Sequence, residues 1–238
     1  MCVELCYRIL NTAAQTPGAS NIIDVRSKCF HTLDAFTHLI VMLVKHSGSS
    51  SAASGAASET TAKLNLLNKV LNIIAGVATT DQDLRQTDFQ HLPYYRIFVL
   101  LFMELVLGPT NLGLPGSVLL QQNQLGLGLN PSQLDPLLES IQYQVLTAFC
   151  NTLHVLRPSK VPSFAFAWLD FISHRTFMEK CLLSGSNNTG VPTKGWQMYA
   201  QLLVDLIKFE APFLRNVELP QSMDSLYKVR HNAIYLFN

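Results

Sequence analysis

With 238 residues, 48% of them hydrophobic and only 14% charged, the chain is long enough to bury a sizeable core and too apolar to be disordered over most of its length. Its formal net charge of +1 comes with no lysine or arginine cluster, which excludes direct electrostatic binding to nucleic acid, because phosphate recognition needs a concentrated basic face. So few charges leave part of the surface apolar, and that points to partner proteins. Five cysteines (Cys2, Cys6, Cys29, Cys150 and Cys181) are an odd number with no C-x-x-C pair, and read as reduced, mostly buried thiols of an intracellular protein. No basic segment followed by an apolar core marks the N-terminus as a signal peptide. The longest apolar runs, residues 97–103 and 39–44, fall far short of the roughly 20 residues a membrane span needs, so no membrane partner is expected.

In chain order, residues 4–14 predict a helix broken at Pro17-Gly18. Asp24 then caps a long helix with Val25, Cys29, Leu33, Phe36, Ile40 and Leu43 on its apolar face. His31 and His38 lie seven apart on it, whereas a metal pair on a straight helix needs i, i+4 spacing, so no metal site is read there. The Ser/Ala/Gly stretch 47–58 reads as a flexible loop. After it Leu64, Leu67, Val70, Leu71, Ile74 and Val77 mark a helix, and residues 81–90 a polar connector. Pro93 opens the next helix, which is densely apolar from Tyr94 to Leu107 with Arg96 and Glu104 as its only charges, and Gly108-Pro109 ends it. Residues 111–130 contain Gly126-Leu127-Gly128 without the strand, helix and lysine of a phosphate loop, and read as a surface insertion.

The segment 132–183 predicts two apolar helices back to back. The first opens on a capping box at Ser132 and Asp135 and stops at Arg157-Pro158; the second follows Pro162 and is apolar almost all round from Phe164 to Ile172. Residues 184–193 are a polar loop. A further helix carries Trp196, Tyr199, Leu202, Leu203, Leu206 and Phe209, halts near Ala211-Pro212, and leads through a turn at Phe213-Leu214-Arg215. Seven or eight helices and no convincing strand make an all-α chain, and antiparallel pairs with short links make a HEAT-like hairpin solenoid.

No catalytic, cofactor-binding or metal-binding set emerges. Asp170, Ser173 and His174 share one helix, where close neighbours point in different directions, and no strand-turn-helix elbow exposes a serine. Partner-binding candidates are Trp168, Phe171, His174 and Arg175, which combine an aromatic anchor with a cation on neighbouring turns of one helix. The alternative puts Trp168 and Phe171 in the core and Arg175 at a solvated end. Phe213, Leu214 and Arg215, between two prolines, offer a rigid edge to an extended peptide, or else an elbow packed on the core.

Six strings narrow the reading: Asn65-Leu66-Leu67-Asn68-Lys69-Val70-Leu71, Leu92-Pro93-Tyr94-Tyr95-Arg96-Ile97-Phe98, Leu146-Thr147-Ala148-Phe149-Cys150-Asn151-Thr152, Ala167-Trp168-Leu169 with Ile172-Ser173-His174-Arg175, Lys194-Gly195-Trp196 with Met198-Tyr199-Ala200-Gln201-Leu202-Leu203, and Ala211-Pro212-Phe213-Leu214-Arg215-Asn216-Val217-Glu218-Leu219. In this order they resemble the C-terminal homology domain of the large scaffold subunit of the Ccr–Not mRNA deadenylase complex, over residues 1–228 with insertions at 47–58 and 108–130. The resemblance implies a HEAT-like domain without an active site that docks the NOT-box subunits. The deadenylase nucleases would be held indirectly, through the rest of the scaffold. It further implies mRNA decay and translational repression, in the cytoplasm including processing bodies and in the nucleus. The family continues after Tyr227-Lys228 into further apolar helices, whereas residues 229–238 diverge. A chain lacking those C-terminal helices would be a fragment, a splice product or a gene model that ran into an intron, with an exposed apolar end and poor solubility. The alternative function is an unrelated helical-repeat adaptor in transport or trafficking.

Overall fold

The computed structural model describes residues 3–8, 19–48, 56–107, 140–183 and 194–215. Apolar side chains at three- and four-residue spacing dictate helices throughout, and no strand occurs among the described residues. A short helix α1 (residues 3–8) precedes α2 (Ala19–His46) and α3 (Ala56–Arg85). After a 3-10 turn at Gln86–Asp88 comes α4 (Leu92–Phe102), which runs on as a π-helical turn, Met103–Leu107. Then follow α5 (Gln142–Val155), a 3-10 turn at Pro162–Phe164, α6 (Ala165–Ile172), α7 (Arg175–Leu183) and α8 (Lys194–Leu214).

The helices stack in two layers. One holds α2, α4 and the α6–α7 pair, with α4 packed between α2 and α6; the other holds α3, α5 and α8, with α5 in the middle. Between the layers α2 packs on α3, the π turn on α5, and α7 on α8. That is the pairing of a HEAT-like array, as the sequence predicts. One hydrophobic cluster runs through it from Cys6 to Leu206. Its centre is aromatic: the ring of Phe102 meets those of Phe149, Phe171 and Phe177 edge-on at 5.5, 5.7 and 5.4 Å between centroids. Trp168 lies beside them with no exposed surface, its indole N–H donating to the Leu153 carbonyl at 2.8 Å.

Polar ties fix the order of the stack. Arg96 of α4 grips Asp34 of α2 with both arms of its guanidinium, at 2.6 and 2.7 Å, and lies over the Phe30 ring. His38 of α2 meets the buried Glu104 of the π turn at 3.0 Å, and His154 of α5 pairs with the buried Asp205 of α8. Buried Lys63 of α3 donates to the Lys45 carbonyl in the last turn of α2, with Glu59 at 3.3 Å.

Several boundaries depart from the sequence reading, each for a local reason. Helix α2 begins at Ala19, so Asp24 lies inside it rather than at its start. Its buried face is Leu33, Thr37, Ile40, Val41 and Val44, while Phe36 and Leu43 are 41% and 55% exposed. The face is rotated because Thr37 hides its hydroxyl in a 2.8 Å bond to the Leu33 carbonyl and so passes for an apolar residue. Helix α3 starts at Ala56, inside the expected loop, and runs four residues past Asp81 to Arg85. Its polar end is held by Arg85 Nε donating to Asp81 at 2.7 Å. The long second helix of the 132–183 segment is in fact two. The Ser173 N–H bonds the Leu169 carbonyl and the His174 N–H the nearer Phe171 carbonyl, which tightens and ends α6; the Met178 N–H then bonds the His174 carbonyl and α7 begins. Helix α8 continues through Pro212 to Leu214, since a proline two residues from the end disturbs only the last turn. Ser132, Asp135, Gly108-Pro109 and residues 111–130, 184–193 and 229–238 lie outside the described residues.

Candidate docking surface

The sequence candidates separate in the structure. Trp168 and Phe171 are 0% and 3% exposed and belong to the aromatic core, beyond the reach of a partner. His174 is exposed in the break between α6 and α7, and Arg175 opens α7 with its side chain 86% exposed and its Nε on Glu179 at 2.6 Å. The hydrogen bond to Glu179 raises the guanidinium pKa. Phe171 and His174 still share the lining of one small pocket, but Trp168 lies in the core and Arg175 at a solvated helix end, so the four form no single surface. Phe213 is half-buried, with its ring 5.6 Å from that of Phe209, and Arg215 is exposed. Phe213 and Leu214 close α8 instead of forming a separate elbow, and the Leu214 side chain lies outside the described residues.

Asp170, Ser173 and His174 do not converge either. The Asp170 carboxylate takes the Tyr95 hydroxyl, and the Ser173 hydroxyl turns back to the Asp170 carbonyl at 3.3 Å. Burial first, and then the bond to Asp170, pushes the Tyr95 phenol well above its usual range. The described cysteine side chains, Cys6, Cys150 and Cys181, are buried and free of disulfides, with Cys150 and Cys181 Sγ atoms 4.0 Å apart. Their hydrogen bond and burial together push the Cys181 thiol far up, which keeps it protonated.

What the packing does create is a groove between α3 and α5, with a volume of about 380 Å³. Leu64 and Ala148 form its floor. Asn65 and Asn68 stand on the α3 rim, Gln144 and Asn151 on the α5 rim, all four exposed. Thr61, Tyr143 and Thr147 complete the lining, and none of the lining residues carries a charge. The threonine hydroxyls are spent on their own helices, Thr61 on the Ala57 carbonyl and Thr147 on the Tyr143 carbonyl, both at 2.8 Å. Asn65, Asn68 and Asn151 stand in the ordered strings without being candidates there, and Gln144 is in none of them. Their signal was the amide spacing, i and i+3 on one helix and i and i+7 on the other, on the polar flank of each.

A second surface is apolar. Phe36, Leu39, Met42 and Leu43 follow one another along the outer side of α2 at helical spacing, all more than a third exposed. The sequence predicted some exposed apolar surface, and part of it lies here, with more at Ile73, Leu84, Leu183 and Ile207. Among the described residues no helix is long and apolar enough to cross a membrane.

Comparison with known proteins fixes the family. Residues 129–236 match the family model "CCR4-Not complex component, Not1". The chain is 35% identical over 228 residues to the CCR4-NOT transcription complex subunit let-711 of Caenorhabditis elegans, covering 95% of this chain and 7% of the relative. It is 23% identical to the general negative regulator of transcription subunit 1 of Saccharomyces cerevisiae, over 86% of this chain and 8% of the relative. The fold is that of the NOT1 superfamily homology domain from Chaetomium thermophilum, with a TM-score of 0.63, 20% identity and coverage of 96% of this chain and 37% of that one. A solved Not1 C-terminal domain in complex with Not4 matches with a TM-score of 0.57 at 20% identity, over 94% of this chain and 37% of that one. The chain thus spans less than a tenth of the curated relatives it matches. An all-helical array in two layers, the ordered strings and these likenesses agree: the chain belongs to the Not1 family, as a region of its C-terminal-type domain.

Proposed function

We propose that this chain is a non-catalytic scaffold module of the CCR4–NOT complex that docks the NOT-box subunits, and so supports mRNA deadenylation, mRNA decay and translational repression. The observation that carries the reading is 35% identity, over 95% of the chain, to a subunit of that complex. A solved Not1 C-terminal domain of the same fold is in complex with Not4, which favours docking as the use of this fold. The architecture suits the role: stacked helices present long open faces, and their rigidity keeps bound partners in fixed relation. The deadenylase nucleases belong to the complex through the remainder of the scaffold and make no contact here. The place of action is the cytoplasm, including processing bodies, and the nucleus.

Co-expression of the 238-residue chain with recombinant NOT-box subunits tests it. A complex that stays together through size-exclusion chromatography is the expected result. Separate elution of chain and subunits would overturn the reading.

A further inference from the structure

Cys150 and Cys181 stand 31 residues apart in the chain and meet in the core, where α5 and α7 bring their sulfurs to 4.0 Å. Both side chains are buried, and the two helices pack directly on each other. Tyr199 of α8 lies close enough for the pair to act on its phenol, while its hydroxyl is spent on the Ile172 carbonyl at 3.0 Å. A metal ion is a poor occupant: among the described residues no third histidine, carboxylate or cysteine joins the two thiols. Packing alone asks for two small apolar side chains here and needs no approach of sulfur to sulfur. A disulfide does. Its sulfurs sit at about 2.05 Å, so each has to travel only about 1 Å, an adjustment on the scale of side-chain torsions.

Neither thiol reacts while covered. The bond to Cys150 and burial hold Cys181 protonated, and only a thiolate attacks a peroxide. Reaction therefore waits on α7. That helix has nine residues, starts at the break after α6, and buries only Phe177, Met178 and Cys181, so it opens before the longer α5 beneath it. We propose that Cys150 and Cys181 form a reversible redox lock: when α7 lifts, hydrogen peroxide oxidises the pair to a disulfide that staples α7 to α5. In the first step one thiolate attacks the peroxide, the O–O bond breaks, a sulfenic acid forms and water leaves. In the second the other thiolate attacks that sulfur, the S–O bond breaks, and the departing hydroxide takes a proton to become a second water. Two thiols thus give up two electrons and two protons to one peroxide. The new bond closes a loop that contains all of α6. It also ties down Phe149, next to Cys150, and Phe177, one turn before Cys181, both in edge contact with Phe102. The inference stands apart from the docking reading and holds whichever partner the array carries.

The test uses the whole chain, reduced and then treated with hydrogen peroxide. Remaining thiols are alkylated in denaturant, the cross-links are mapped by peptide mass spectrometry, and a thermal melt is recorded before and after treatment. The expected main cross-link joins Cys150 to Cys181. It should raise the melting temperature by roughly 5–10 °C, as closing a loop of this length constrains the unfolded chain, and dithiothreitol should undo both changes. Cys181→Ala leaves Cys150 without its partner and should show no such rise after peroxide. The mapping uses the unchanged chain, so it decides the matter even where that variant folds poorly. If Cys150 and Cys181 are recovered alkylated, as sulfinic acids, or joined to other cysteines instead of to each other, the pair is no redox site. If the link forms and the melting temperature fails to rise, the lock is overturned.

Discussion

Asp81 shows how much structure one polar side chain can hold. It accepts from Arg85 at 2.7 Å and from the Tyr94 hydroxyl at 2.9 Å, while Arg85 also reaches Glu4 and lies over the Tyr7 ring. Burial alone would raise the Asp81 pKa, but the bonds from Arg85, Tyr7 and Tyr94 outweigh it and hold the carboxyl below its ordinary value. The sign follows: a depressed folded pKa stabilises above the unfolded value of about 4 and stops doing so as the pH falls through the lower folded one. Asp81→Asn should therefore lower the melting temperature at pH 7, and the gap to the unchanged chain should close below about pH 4, as melts over a pH series would show. Trp168 makes the complementary case for apolar burial with a polar handle. Trp168→Phe leaves the Leu153 carbonyl buried without its donor, and urea titration should find a loss of about 1–3 kcal/mol, beyond the smaller ring. Neither network was legible in the sequence, where Asp81 reads as part of a polar connector and Trp168 as core or surface anchor, with no sign of its bond to Leu153. What decides both is packing between residues far apart in the chain.

At the scale of the element, the helices whose signals are steric were the legible ones. Pro93 opens α4 where its ring fits the first turn, and the Tyr94–Leu107 run is helical as expected, though its last turn is π rather than α. The split between α6 and α7 left no such mark, because neither proline nor glycine stands at Ser173 or His174; only the hydrogen bonds of the folded chain reveal it. The end of α2 is a third case. Gly48 sits just past it at a φ of 88°, and a Cβ there would come within 3.0 Å of the Glu59 Cα, so the loop reading of residues 47–58 concealed a tight junction. Lys63 reaches back across that junction to the Lys45 carbonyl. Lys63→Met keeps the volume and removes the donor; it should cost about 1–3 kcal/mol in chemical denaturation, and amide exchange should quicken in the last turn of α2 before the rest of the molecule.

For the whole molecule, the all-α class and the stacked-pair architecture followed from periodicity, and the family from ordered strings. The amide-lined groove did not follow, because each asparagine on its own helix looks like a solvated flank; α3 and α5 must be packed before the four amides share a cavity. The continuous core has a thermodynamic consequence. Melts followed by far-UV and near-UV circular dichroism should coincide in one transition, and Phe102→Ala should shift both together by a loss of about 3–5 kcal/mol. A second consequence concerns time. With Phe149, Phe171 and Phe177 closed around it, the Phe102 ring cannot turn over unless three neighbours on three other helices yield at once. Its two edges should give separate, slowly exchanging proton resonances, and the rate at which they merge on warming would clock the breathing of the array from its innermost point.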